Sequence, residues 1–206
     1  MYTDLGLTPS ALATFDFVNA AGASMGRKMQ TPDSATISKA LADFRAVQDK
    51  ALIIGGIAVI HYGLERSTKD IDALYFDWDE AGILKRLDEK FKRVNNATNG
   101  WHHFQHRETD VRLELIPEGG LTTYGFIPSP KAVGGVDGYI SLSGLVWLKL
   151  VSRRPRDEAD ISDLALIRMS DVEACRVHIP TELHECFDAI IARTKQIIAN
   201  DPNRPQ

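Results

Sequence analysis

At 206 residues the chain can hold one domain with a helical extension or two small ones, and 44% apolar and 25% charged residues with mean hydropathy −0.18 suit a globular protein. No apolar run approaches the roughly 18 residues that span a bilayer, and Met1-Tyr2-Thr3-Asp4-Leu5 has no basic stretch before an apolar one, so neither a membrane partner nor a signal peptide is expected. A net charge of −4 argues against broad adhesion to nucleic acid, while the two cysteines, Cys175 and Cys186, match no zinc spacing and suggest a reduced, cytoplasmic protein.

Residues 9–18 read as a helix capped by Thr8 or Ser10, and residues 22–32 as a loop of small side chains. A second helix starts at residues 33–37 and keeps Ile37, Leu41, Phe44 and Val47 on one stripe. Leu52–Ile54 is a short buried strand stopped by Gly55-Gly56, and residues 57–62 form a helix that ends near Gly63. A strand over 71–76 leads to a helix over about 79–90, with Ile83, Leu84 and Leu87 inward. Its acidic start (Asp77, Asp79, Glu80) and basic end (Lys85, Arg86, Lys90, Lys92, Arg93) suit the helix dipole.

Residues 101–107 and 111–116 then read as an antiparallel pair, Pro117-Glu118-Gly119-Gly120 as a turn and 131–138 as a glycine-rich loop. From Ser141 the pattern turns helical through Leu142, Leu145, Val146, Leu148, Lys149 and Leu150. Further helices cover 157–169 and 180–199, ahead of a frayed tail at 201–206. This order predicts an α/β (α+β) fold built on a small mixed sheet with flanking N- and C-terminal helices. Residues 1–140 would hold the core and N-terminal helices, and 141–206 a helical C-terminal region.

Within the core, Asp70 and Asp72 lie two apart on a strand and so aim their carboxylates at one face. Like charges that close repel unless something positive lies between them, and a hard divalent cation shared with substrate phosphates is the usual solution. The plainer reading is a solvated strand end, against which stand the apolar neighbours Ile71, Ala73 and Leu74. Gly55-Gly56 is a strand-to-helix turn whose backbone N–H groups could also face phosphate.

Gly55-Gly56 followed by Arg66-Ser67-Thr68-Lys69-Asp70-Ile71-Asp72 resembles the signature of the nucleotidyltransferase (polymerase beta-like) superfamily. The resemblance is to its small bacterial members, of the antibiotic nucleotidyltransferase and abortive-infection toxin type. Many members carry Gly-Ser where this chain has Gly55-Gly56, which leaves backbone N–H groups without a serine hydroxyl. The resemblance implies a core between about residues 52 and 116, roughly a third of the chain.

It implies that Asp70 and Asp72 hold Mg²⁺, with Mn²⁺ as substitute, and that a third acid on a later strand activates the acceptor hydroxyl. Glu114, between Leu113 and Leu115, is the candidate for that catalytic and metal-binding place, with Asp110 as fallback; its plainer role is pairing with Arg112 or Arg107. The resemblance also places Gly55, Gly56 and Arg66 by the nucleotide; Thr68 and Lys69 are weaker candidates. A lysine on a comparable helix reaches the triphosphate in the family. Here that is Lys149, which could instead snorkel to water. The Arg153-Arg154-Pro155-Arg156-Asp157 turn follows, and Asp160 and Asp163 would orient those basic groups by ion pairing.

His102, His103 and His106 lack the cysteine or acid that would complete a zinc set, and Ser141 and Ser143 have no histidine in triad order. The expected activity is Mg²⁺-dependent transfer of a nucleoside monophosphate from an NTP, such as ATP, to a hydroxyl of a small molecule, RNA or protein. The alternatives are a lapsed binding module of the same fold, such as one half of a toxin–antitoxin pair with a cognate partner protein, and an α/β scaffold whose acids are structural. Trp101, His102, His103 and Phe104 could line an acceptor pocket or fill a core.

Overall fold

A computed structural model describes residues 34–48, 50–75, 80–95, 101–122 and 124–200, so the predicted helix at 9–18, the loop at 22–32 and the tail at 201–206 lie outside the described residues. Helix α1 (Ser34–Val47) precedes strand β1 (Leu52–Ile54), the short helix α2 (Gly55–His61) and strand β2 (Asp70–Tyr75). Helix α3 (Glu80–Leu87) leads to strands β3 (Phe91–Asn95), β4 (His102–His106) and β5 (Arg112–Pro117). A hairpin of β6 (Leu121–Thr122) and β7 (Gly125–Phe126) follows, then helix α4 (Pro130–Val133) and strands β8 (Gly135–Val136) and β9 (Tyr139–Ile140). Helices α5 (Leu142–Ser152), α6 (Pro155–Ala174) and α7 (His184–Ala199) come last.

Seven strands form one mixed sheet in the order β3-β4-β5-β2-β1-β9-β8. β2 runs antiparallel to β1 and parallel to β5, whereas β9 runs parallel to β1. Alternation along β2 decides what each face carries. Ile71, Ala73 and Tyr75 pack with Ile37, Leu41 and Phe44 of α1 and Ile83 and Leu87 of α3. Leu74 turns the other way, into a second cluster with Ile54 and with Leu145, Val146, Leu164 and Phe187 of the C-terminal helices. Asp70 and Asp72 share Leu74's face, so they sit on the side of the sheet that the C-terminal helices cover.

Two stretches depart from the sequence reading. The helix expected over about 79–90 ends at Leu87, with Asp77 and Asp79 outside the described residues, and the basic residues Lys92 and Arg93 belong to strand β3. Phe91 is buried there while Lys92, Arg93 and Val94 are exposed, and charge on an outermost strand discourages pairing with another chain. The predicted loop at 131–138 contains helix α4 and most of a hairpin. Its turn is Asp137-Gly138, both at positive φ (51° and 78°), the conformation a tight hairpin needs and that an Asp-Gly pair adopts readily.

The C-terminal helices start where chain chemistry dictates. Ser141 caps α5 by accepting from the Gly144 N–H, and Pro155 opens α6, which extends to Ala174 with non-helical backbone at Arg168. Among the described residues no helix is long and apolar enough to cross a membrane.

Phe44 is 1% exposed and meets Phe91 edge-on with ring centroids 6.4 Å apart. Phe44→Ala is expected to lower stability by about 3–5 kcal/mol, read as a fall in the urea midpoint; a loss below about 1 kcal/mol would contradict this packing.

Candidate active site

The acids are placed by strand register. Asp72 of β2 stands directly beside Glu114 of the parallel strand β5, and Asp70 is beside Arg112. Both Asp72 and Glu114 line a cavity of about 530 Å³. Gly55, Lys149, Arg154 and Asp157 contribute to its polar wall, and Ile116, Ile127, Leu148 and Trp101 to its apolar wall. Asp70, Gly56 and Arg66 are not in that lining.

The need for glycine at position 55 is steric. Gly55 has φ +63°, and a Cβ there would lie 1.9 Å from Asp72 Oδ2. The first turn of α2 thus presses on the Asp72 carboxylate at a distance no side chain permits. Gly56 serves packing instead: a Cβ there would meet Thr68 Oγ1 at 2.6 Å. Thr68 in turn donates to the Asp70 backbone carbonyl and to its Oδ1 at 3.3 and 3.4 Å.

Asp72 carries the clearest electrostatic signature. Burial first, then the charges of Asp70 and Glu114, push its carboxyl up to about 7, against the opposing pull of Arg154 and Lys149. The three acids are therefore close enough to repel. Glu114 has a further neighbour, His103 Nδ1 at 3.4 Å, which faces it across the β4–β5 pairing. Asp110, the fallback acid, sits exposed in the turn between β4 and β5 at φ 58°, away from the cavity lining.

Across the cavity stands a chain of ion pairs. Arg66 Nη1 donates to Asp160 Oδ2 at 2.5 Å, and Lys149 Nζ donates to the same oxygen at 2.5 Å. Lys149 also donates to Asp157 Oδ1 at 3.1 Å, and Asp157 accepts from Arg154 Nε at 2.7 Å and Nη2 at 3.2 Å. Burial would raise Asp157, yet the Arg154 and Lys149 cations outweigh it and hold its carboxyl at about 2. Burial also pulls the Arg66 guanidinium below its usual value, although Asp160 partly restores it.

Asp160 pairs with Arg66 and Lys149, whereas Asp163, one turn on, makes no ion pair among the described residues and is pushed up by burial and by Asp160. Lys149 is buried with its carboxylate partners rather than snorkelling to water. The histidines have structural partners. His102 bonds Glu80 and Arg93, and His106 bonds Asp43 and Thr109.

The donor set fits a hard cation. Asp72 and Glu114 offer oxygen from adjacent strands, and the uncompensated repulsion on Asp72 is the kind that a divalent ion relieves. Among the described residues no group of three or more His, Cys, Asp or Glu could hold a metal ion unaided. Mg²⁺ does not demand such a cage, since it keeps waters and takes substrate phosphate oxygens.

A family model described as "Nucleotidyltransferase of unknown function (DUF6036)" matches residues 35–196. The chain belongs to this nucleotidyltransferase family. Among solved structures, the solution structure of the antibiotic-resistance factor ANT(2'')-Ia matches with a TM-score of 0.51 at 14% identity, over 81% of this chain and 99% of that one. The crystal structure of ANT(2'')-Ia in complex with adenylyl-2''-tobramycin matches at TM-score 0.45 and 14% identity, over 78% of this chain and 97% of that one. No curated protein matches. The first of these structures supports the nucleotidyltransferase fold, and the family supports nucleotidyl transfer as the activity.

Two residues of the nucleotidyltransferase cleft stand out only in three dimensions. Arg154 was legible as part of an Arg-rich turn, but not as a cavity residue. His103 was one of three histidines, with nothing local to single it out beside Glu114.

Gly55→Ala must move the Asp72 carboxylate or the turn, and is expected to cost about 2–4 kcal/mol, with a lower Tm as the readout. A Tm equal to wild type would show that the two do not touch. The charge state of Asp72 gives a second expectation. Between its ordinary 3.8 and the folded value of about 7 the folded chain keeps a proton that the unfolded chain has released. Stability in metal-free buffer therefore falls as pH rises across that window and stays low above it. Asp72→Asn should raise stability by about 2 kcal/mol near pH 8 and have little effect near pH 4. Thermal melts of the two proteins at both pH values check this, and identical melting near pH 8 would contradict it.

Proposed function

We propose that this nucleotidyltransferase is Mg²⁺-dependent and moves a nucleoside monophosphate from an NTP to a hydroxyl of a small molecule, RNA or protein. The observation that carries the reading is Asp72 beside Glu114 in register on the cavity, with Gly55 pressed against it. Asp70 and Asp72 would hold the cation together with Glu114, and waters and substrate phosphate oxygens would fill the rest of its shell. Bound there, it would neutralise phosphate charge and polarise the α-phosphoryl oxygen.

The chain's own groups do the rest. Glu114 takes the proton of the acceptor hydroxyl as that oxygen bonds to the α-phosphorus. The α–β bridging bond breaks, and pyrophosphate leaves with the electron pair. Gly55 keeps the cavity side of the turn clear for the Asp72 carboxylate, and Lys149 supplies positive potential from the cavity wall, with Arg66 behind it through their shared partner Asp160. Little covalent help is needed, because positioning and charge neutralisation dominate phosphoryl chemistry.

The test is incubation with each α-labelled NTP and three acceptors: a panel of hydroxylated small molecules, total RNA and the protein itself. Label transfer that needs Mg²⁺ or Mn²⁺ and falls roughly a hundredfold or more in Asp72→Asn is the expected result. Transfer indifferent to chelator and to Asp72→Asn would overturn the proposal. NTP binding without any transfer would favour the lapsed binding module instead.

A further inference from the structure

We infer that Arg154 is the side chain that contacts the triphosphate directly in this cleft, and that Lys149 acts behind it as a positioning residue through Asp157. The inference rests on the nucleotidyltransferase reading of the site and reassigns the contact that the family resemblance implies for Lys149.

Among the described residues two cations line the cavity, Lys149 and Arg154. They are not equivalent. The Lys149 side chain is 7% exposed, and its ammonium donates to Asp157 and Asp160, which are themselves 3% and 7% exposed. Pulling it toward a phosphate would break a buried charge pair on both sides, and uncovering a buried charge is expensive. Arg66 is tied in the same way to Asp160, with a side chain 14% exposed. Neither is free to follow a ligand.

Arg154 is different in each respect. Its side chain is 75% exposed although it is anchored. The bonds to Asp157 use Nε and Nη2, so Nη1 has no hydrogen-bond partner among the described residues. The guanidinium is thus fixed in orientation on one edge and open on another, the arrangement that suits a bidentate grip on phosphate oxygens.

Charge counting points to the same place. The chain of ion pairs holds three cations, Arg66, Lys149 and Arg154, against two carboxylates, Asp157 and Asp160. The inner cations are balanced by those carboxylates, so the surplus positive charge falls on the outermost member. That member faces the acids: the charges of Asp72 and Glu114 both act on Arg154. A triphosphate lying between them would meet the carboxylate wall through its cation and the opposite wall through Arg154.

Inorganic tripolyphosphate is the probe, because it tests the phosphate grip without assuming a base or an acceptor. Its affinity in Mg²⁺ buffer is measured by calorimetry for the full chain, Arg154→Gln, Arg154→Lys and Lys149→Met, with thermal melts of each. Arg154→Gln is expected to weaken binding about ten- to a hundredfold while lowering the melting temperature much less than Lys149→Met does, and Arg154→Lys to recover part of the loss in binding. Lys149→Met is expected to melt well below wild type, since it removes the cation shared by two buried carboxylates and leaves each with a single cationic partner, Arg154 for Asp157 and Arg66 for Asp160. Wild-type affinity in Arg154→Gln would overturn the inference, as would a loss that tracks a fall in melting temperature and is not relieved by lysine. Failure of the unmutated chain to bind tripolyphosphate would overturn the parent reading along with it, so the two failures are distinguishable.

Discussion

Two carboxylates on adjacent parallel strands, abreast in register, repel each other, and a third two residues back on one of those strands adds to the strain. The sheet nevertheless holds Asp72 beside Glu114 with Asp70 close by, because backbone pairing between β2 and β5 sets the two residues abreast. Burial makes the arrangement costlier still, and Asp72 responds by holding its proton up to about 7. Everything else in the cleft is an answer to that constraint. Gly55 clears the space that the carboxylate occupies, and the Arg154 and Lys149 cations offset part of the negative potential of the acids without cancelling it. A site that keeps unrelieved negative charge in a cavity is one that gains from binding something positive.

The rigidity that makes this tolerable comes from the strand that carries the acids. β2 is central in the sheet, and its side chains reach into both apolar clusters. Ile71, Ala73 and Tyr75 lock one side, Leu74 the other, so Asp72 lies between two anchored neighbours. Moving the strand that carries it would require repacking both cores. An acid on such a strand is held more tightly than one on a loop.

The acids were legible in the sequence because they are local. Gly55-Gly56 followed by Asp70 and Asp72 is a short-range pattern, and Glu114 could be ranked by its place between Leu113 and Leu115. The helices were legible for the same reason: apolar spacing marks α1 and α5 without reference to partners. What escaped is nonlocal or very short. β3 reads as a basic helix end because Lys92 and Arg93 suit either role, and only the sheet edge decides. β8 and β9 are two residues each, too short for any period, although the Asp137-Gly138 pair was a usable hairpin signal. Gly56 shows the limit from the other side: a glycine in a phosphate-loop pattern that packs against Thr68. Pattern places the residue, but only the packing says what it is for.

The sequence division between a core ending near residue 140 and a helical region beyond it takes on a different meaning once the charges are placed. The acids come from strands before that point, and the cations that face them come mostly from after it. Arg66 and Asp160 are 94 residues apart yet share the innermost ion pair, and Lys149 reaches the same oxygen. The apolar cluster behind them likewise mixes Ile54, Ala58 and Leu74 with Leu145, Leu164 and Phe187. A chain cut at 140 would leave Asp72 and Glu114 without Lys149 and Arg154, and would expose the sheet face on which they stand. Fold and charge balance therefore close together: the C-terminal helices complete the core that holds the acids and supply the positive wall that lets them coexist.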